Sequence, residues 1–230
     1  MSIKLVVFDM AGTTVKDKSN VGAAFKRALE SFGYDAITDA EVQEVMGYEK
    51  PLAIKRLLEK HEPETAKITE ELIAGIHQKF VDGMIRYYET NPEIGSTPNA
   101  EAVLKGLREQ GIKVGINTGF SRDIAEAIVK RLQWREKGVF DCLVASDEVP
   151  QGRPYPDMIQ KLMLETGVED IEEVAKVGDT EVDVNEGKNA GCKYIVGVTT
   201  GAYSREELAV YGPTHIIDNL SELSAILADN

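Results

Sequence analysis

The chain has 230 residues, 43% of them hydrophobic and 28% charged, with a formal net charge of −13, which suits a globular protein with one ordinary core and room for a second small unit. The acidic excess argues against a nucleic-acid or anionic-membrane surface, so an anionic small molecule would have to be drawn in locally by cations inside a pocket. Only Cys142 and Cys192 are present, which excludes a disulfide framework or a zinc site, and the lack of an 18-residue apolar run or signal-peptide pattern makes a cytoplasmic location the expectation.

The run Leu5-Val6-Val7-Phe8 ahead of the turn Met10-Ala11-Gly12-Thr13-Thr14 predicts a buried parallel strand that ends at Asp9. Open α/β sheets place ligands at the carboxyl ends of their strands, so a carboxylate at that position is either a helix cap or a working group. Helical periodicity follows over 21–32, 39–46, 51–60 and 69–88, with Leu72, Ile76, Phe80 and Met84 on one face. Gly33, Gly47, Pro63 and Pro92 punctuate it. A helix over 100–110, ended by Gly111, then leads into a strand over 113–117. The span between the first two strands far exceeds what a strand-to-helix connection needs. Residues 16–92 therefore read as an inserted helical cap domain, and 1–15 with 93–230 as the core. Further strand-like runs over 142–145, 174–177, 194–198 and 215–217 alternate with helical patterns, the signature of a doubly wound, Rossmann-like parallel sheet of the α/β class.

Three segments beyond Asp9 carry chemistry. Gly178-Asp179-Thr180-Glu181-Val182-Asp183 again puts carboxylates just past a strand. With Asp9 they form an all-oxygen set suited to a hard cation such as Mg2+. Ile116-Asn117-Thr118-Gly119 ends a strand with a hydroxyl and a glycine, and the amides that follow could hold anionic oxygens at a helix N-terminus. In Gly152-Arg153-Pro154 an arginine is fixed between a glycine and a proline; taken alone it reads as a solvated loop charge.

In this order the segments resemble the haloacid dehalogenase superfamily. Within it the chain is most similar to the phosphonatases (phosphonoacetaldehyde hydrolases) and phosphonatase-like hydrolases. The resemblance rests on Asp9-Met10-Ala11-Gly12-Thr13-Thr14, Thr118-Gly119-Phe120-Ser121-Arg122, the segment 149–156 around Arg153, and Lys176-Val177-Gly178-Asp179-Thr180 running on to Asp183 and the segment 186–191. It implies a hydrolase with a Rossmann-like core of the haloacid dehalogenase type and an α-helical cap, an Asp9 nucleophile, and Mg2+ bound by Asp9, the Ala11 carbonyl, Asp179 and Asp183. Thr118, Gly119 and Arg153 would hold phosphoryl oxygens, with Arg122 as a further substrate contact. Met46-Gly47-Tyr48-Glu49-Lys50 resembles the phosphonatase Met-Gly-x-x-Lys motif, which assigns Met46 and Gly47 to substrate binding and Lys50 to an imine with the substrate aldehyde.

Three departures bear on the substrate. Most superfamily members have lysine where this chain has Arg153. Phosphatases of the superfamily have an aspartate where Ala11 stands, which protonates the leaving alkoxide. Phosphonatases have a histidine three positions past the lysine, where this chain has Ala53; either the substrate differs from phosphonoacetaldehyde itself, or another base such as Glu49 or Tyr48 serves imine formation. The leading expectation is a Mg2+-dependent hydrolase of a 2-oxoalkyl phosphonate. The alternatives are a phosphomonoesterase resembling phosphoglycolate phosphatase, and a non-catalytic phosphate- or metal-binding protein. The partner is a small-molecule phosphonate or phosphate, with no nucleic acid and no membrane, and the sequence leaves a homodimer open.

Overall fold

The structure, a computed structural model, describes residues 2–17 and 20–228. Strand β1 (Leu5–Phe8) is buried throughout. Val6 and Phe8 point into one apolar cluster, Leu5 and Val7 into another on the opposite face, the alternation of a strand covered on both sides. The insertion after β1 carries α1 (Asn20–Glu30), α2 (Asp39–Glu44), α3 (Lys50–His61) and α4 (Glu70–Thr90). The return runs through α5 (Ala100–Glu109), β2 (Lys113–Thr118), α6 (Arg122–Leu132) and β3 (Cys142–Ala145). Then come α7 (Asp157–Thr166), β4 (Val174–Gly178), α8 (Glu181–Ala190), β5 (Tyr194–Val198), α9 (Arg205–Val210), β6 (His215–Ile217) and α10 (Leu223–Ala228).

The strands form one six-stranded parallel sheet in the order β3-β2-β1-β4-β5-β6. Strand order reverses between β1 and β4, the crevice where such sheets bind ligands. Phe8 is in register with Ile116 on β2 and Val177 on β4, so Asp9, Thr118 and Asp179 all emerge at one edge.

The helices between β1 and β2 bury the apolar stripe that the sequence predicts: Ile76, Phe80 and Met84 of α4 are buried. Phe25 of α1 meets Phe80 edge to face at 5.4 Å. Phe80 and Tyr88 in turn reach Phe120, just past β2, at 6.3 Å each, so the insertion and the sheet share one apolar cluster. Two boundaries differ from expectation. The helix expected over 39–46 ends at Glu44, ahead of Gly47, whose φ of 82° leaves the helical region. The helix expected from residue 51 begins at Lys50, with Glu49 at its N-cap and Pro51 in its first turn, where a missing N–H costs nothing. Among the described residues no helix is long and apolar enough to cross a membrane.

Candidate active site

The Asp9 N–H donates to the Val177 carbonyl at 2.9 Å, which ties the end of β1 to that of β4. One oxygen from each of Asp9, Asp179 and Asp183 lies within 4.8 Å of the others, and all three residues are buried. Asp179 accepts from the Thr13 hydroxyl at 2.9 Å and from the Ala202 N–H at 2.7 Å. Backbone crowds it closely: a side chain at Gly12 or Gly201 would run into its carboxylate. Asp183 closes the first turn of α8, its Oδ2 accepting from the Thr180 N–H (3.2 Å) and hydroxyl (2.6 Å).

Arg153 is 1% exposed and binds this group directly. Its Nη1 lies 2.6 Å from Asp9 Oδ1 and 2.8 Å from Asp183 Oδ1, and its Nη2 donates to the carbonyl and side-chain oxygens of Asn117 at 2.7 and 3.0 Å. Behind it Lys176, on the otherwise apolar β4, pairs with Asp183 (3.1 Å) and Glu186 (2.9 Å) and donates to Asn117 Oδ1 (2.7 Å). Glu186 accepts from Asn117 Nδ2 at 2.7 Å and lies 3.3 Å from Arg153 Nε. Burial would suppress the charge of Arg153, yet Asp183, Asp9 and Glu186 drive its pKa above the ordinary arginine value.

The carboxylates respond differently to this surrounding. Burial pushes Asp9 up, with Arg153 opposing. Burial and then repulsion from Asp9 and Asp183 push Asp179 well up. Asp183 ends below its ordinary value, because Arg153 and Lys176 together outweigh its burial. A buried, all-oxygen cluster with two carboxyls pushed upward is an environment that a hard divalent cation relieves, so the donor set fits one. Asp179 is a better direct ligand than Asp183, since Asp183 is already paired with the Arg153 and Lys176 cations while Asp179 accepts only from a hydroxyl and a backbone N–H.

Lys50 opens α3 and is 3% exposed. Its Nζ donates to the Tyr48 carbonyl at 3.1 Å and lies 5.6, 6.0 and 5.9 Å from the ring centroids of Phe25, Phe80 and Phe120. Burial first, and the Arg153 charge second, pull its pKa to about 8. Lys50 shares a cavity of about 130 Å3 with Asp9, Asp179, Asp183 and Arg153.

The haloacid dehalogenase-like hydrolase family model matches residues 6–197. This chain belongs to that family. Among its relatives is a phosphonoacetaldehyde hydrolase of Bacillus cereus (strain B4264), 36% identical over 211 residues that span 88% of this chain and 78% of the relative. A solved phosphonoacetaldehyde hydrolase-like protein from Oleispira antarctica superposes with a TM-score of 0.83 at 27% identity, covering 100% of this chain and 92% of the other. A protein described as a candidate phosphoglycolate phosphatase, from Lactobacillus delbrueckii subsp. bulgaricus, shares the fold with a TM-score of 0.78 at 21% identity, over 99% of each chain.

In this haloacid dehalogenase-like hydrolase Ala11, Met46, Gly47, Thr118 and Gly119 line the cavity with Asp9, Lys50 and Arg153. The glycines fit where the insertion meets the sheet. A Cβ on Gly119 would come within 2.7 Å of the Gly47 carbonyl oxygen, and one on Gly47 would strike Val182 and Thr180. Arg122 does not line the cavity. As the first residue of α6 its guanidinium turns away to Glu126 (2.7 Å), Glu148 (3.0 Å) and the Leu143 carbonyl (3.0 Å). Glu49 and Tyr48 do not line the cavity either. Glu49 packs against Gly152, and the Tyr48 ring lies under Arg56 at 4.2 Å.

The sequence reading missed Lys176, Asn117 and Glu186, the phenylalanines around Lys50, the Gly201-Ala202 loop and Asp17, which also lines the cavity. A lysine inside an apolar strand, and a glutamate three positions past Asp183 on one helix face, were signals available for the first group.

Proposed function

We propose that this hydrolase cleaves the carbon–phosphorus bond of a 2-oxoalkyl phosphonate, phosphonoacetaldehyde or an analogue, through an Asp9 phosphoryl-enzyme and a Lys50 imine. Residues 16–92 act as the cap and residues 1–15 with 93–230 as the catalytic core. The observation that carries the reading is Lys50: an amine buried among three aromatic rings, pulled to about 8, in the same cavity as Asp9. Phosphate-ester hydrolysis has no use for such an amine. Imine formation needs one that is neutral and desolvated.

Mg2+, held by Asp9, Asp179 and the Ala11 carbonyl with Asp183 directly or through water, would neutralise phosphoryl charge. The neutral Lys50 amine condenses with the substrate carbonyl. Asp9 attacks phosphorus, and the electrons of the carbon–phosphorus bond pass into the protonated imine, which becomes an enamine. Arg153, the Thr118 hydroxyl and the Gly119 N–H bind the phosphoryl oxygens, and water then releases phosphate from Asp9. Ala11 fits this route because a carbon leaving group drawn into an iminium needs no proton on oxygen. General acid help of the kind an aspartate at this position would give is worth about 10²–10⁴-fold to an ester. Similarity to the Bacillus cereus phosphonoacetaldehyde hydrolase supports the same substrate class.

The test is a side-by-side turnover screen of phosphonoacetaldehyde, related oxo-phosphonates and phosphomonoesters with Mg2+, on the parent and on Ala11→Asp. The reading expects the parent to favour the oxo-phosphonates and the variant to shift the ratio toward esters. A parent that turns over esters faster than every oxo-phosphonate, with no gain in the variant, contradicts it.

A further inference from the structure

We propose that Asp17 is the proton-transfer group of the Lys50 imine chemistry. Its carboxyl donates the proton that lets the substrate's carbonyl oxygen leave as water. This inference rests on the imine reading and adds the residue that the reading lacks, since Ala53 carries no proton and Glu49 and Tyr48 do not line the cavity.

Imine formation consumes a proton at oxygen, and a neutral amine cannot supply it. Among the described residues, the titratable side chains lining the cavity are Asp9, Asp179, Asp183, Arg153, Lys50 and Asp17. The first three form the metal cluster. Arg153 is held charged by the carboxylates, and Lys50 is the nucleophile. Gln43 does not titrate, and its amide is taken by the Ala202 carbonyl at 2.8 Å.

Asp17 is what remains, and its placement suits the task. It lies where the chain leaves the β1 turn for α1, and its Oδ1 accepts the N–H groups of Asn20 (2.8 Å) and Val21 (3.3 Å). Those two bonds fix the carboxyl, and among the described residues no hydrogen bond engages its second oxygen. Burial raises the Asp17 pKa above the ordinary aspartate value, with the two backbone N–H groups and the Lys50 charge opposing, the direction that favours a proton donor. Asp17 and Lys50 each feel the charge of the other. His77 of α4 also feels Lys50, but burial lowers its pKa and it does not line the cavity.

The protons balance. The neutral Nζ of Lys50 adds to the carbonyl carbon, forming a C–N bond and leaving an ammonium and an alkoxide. Asp17 as the acid protonates the alkoxide and, as the carboxylate, takes back the ammonium proton, which gives a neutral carbinolamine. A second donation from Asp17 protonates the hydroxyl. The C–O bond breaks, water departs, and an iminium on Lys50 faces an Asp17 carboxylate. After the carbon–phosphorus bond breaks, the enamine takes a proton from water at carbon and becomes an iminium again, and hydrolysis of that iminium runs the same steps in reverse.

The experiment measures the rate of borohydride-trapped adduct on Lys50 in Mg2+-loaded protein given phosphonoacetaldehyde, for the parent, Asp17→Asn, Asp17→Ser and His77→Gln. Asp17→Asn keeps the volume and the acceptor that caps α1, and Asp17→Ser keeps an acceptor should the first variant fold poorly. Both should slow trapping by about 10²-fold or more, while Mg2+ affinity and inorganic phosphate inhibition stay at the parent level. His77→Gln should trap at the parent rate. Trapping by either Asp17 variant within threefold of the parent, or a loss confined to His77→Gln, overturns the role of Asp17 while leaving the Lys50 imine standing. A parent that forms no adduct on Lys50 overturns both.

Discussion

Replacing Lys50 with Met should stabilise the protein, and the gain should fade with rising pH. Burial and the Arg153 charge lower the lysine from 10.5 to about 8. That difference corresponds to about 3 kcal/mol spent on keeping an ammonium in an apolar site at neutral pH. Because the folded-state value lies below the unfolded one, the unfolded chain binds more protons between pH 8 and 10.5, and the stability of the parent rises through that window. Methionine fills a similar volume against Phe25, Phe80 and Phe120 without a charge to desolvate. Urea denaturation of the metal-free proteins should put Lys50→Met ahead by about 3 kcal/mol at pH 7, with the gap down by roughly half or more at pH 9.5. The same shift leaves about one Lys50 in ten neutral at pH 7, roughly 300-fold more than an unperturbed lysine would offer. Equal stability of the two proteins at pH 7, or a gap that does not change with pH, would refute the claim that this cavity prepares a neutral amine.

Three further outcomes follow from the geometry. Asp9→Asn keeps the volume but removes the nucleophile, so turnover should fall by about 10³-fold or more with the melting temperature little lowered; activity within tenfold of the parent rules out a phosphoryl-enzyme on Asp9. Chelation should abolish turnover and Mg2+ should restore it, with Asp179→Ala needing far more Mg2+ than Asp183→Ala because Asp183 is already neutralised by Arg153 and Lys176 while Asp179 accepts only from neutral donors; equal Mg2+ requirements would contradict that ranking. Gly47→Ala strains a residue at φ 82° and drives a Cβ into Thr180 and Val182, so kcat/KM should drop at least about tenfold as the insertion is held off the core; parent-like kinetics would show that this contact does not govern closure.

The sequence announced the sheet and the carboxylates because both are local signals. Strand runs at 4–8, 113–117 and 174–177 became β1, β2 and β4 almost residue for residue, and the parallel register then brings their ends together. Asp9 and Asp179 meet through that register, and the first turn of α8 adds Asp183. What surrounds Lys50 was not legible. Phe25, Phe80 and Phe120 belong to an apolar periodicity that reads as ordinary core, and only the packing of α1 and α4 over the end of β2 turns them into walls around an amine. Asn117, Lys176 and Glu186 come from three separate elements, so their shared hydrogen bonds appear only once the sheet is assembled. The direction of the Arg122 side chain was not legible for a related reason. It stands four residues past Thr118, but the start of α6 points its guanidinium at Glu126, one turn along the same helix, and at Glu148 after β3.

The central claim is that Lys50 forms an imine with an oxo-phosphonate while Asp9 accepts the phosphoryl group. The most direct measurement is peptide mapping by mass spectrometry after Mg2+-loaded protein is incubated with phosphonoacetaldehyde and borohydride. The account predicts irreversible inactivation, one reduced two-carbon adduct on Lys50, and neither adduct nor phosphate release in Lys50→Arg, whose guanidinium cannot serve as the amine. An adduct on Lys55 or Lys176 instead, or phosphate release from the oxo-phosphonate by Lys50→Arg at the parent rate, would contradict it.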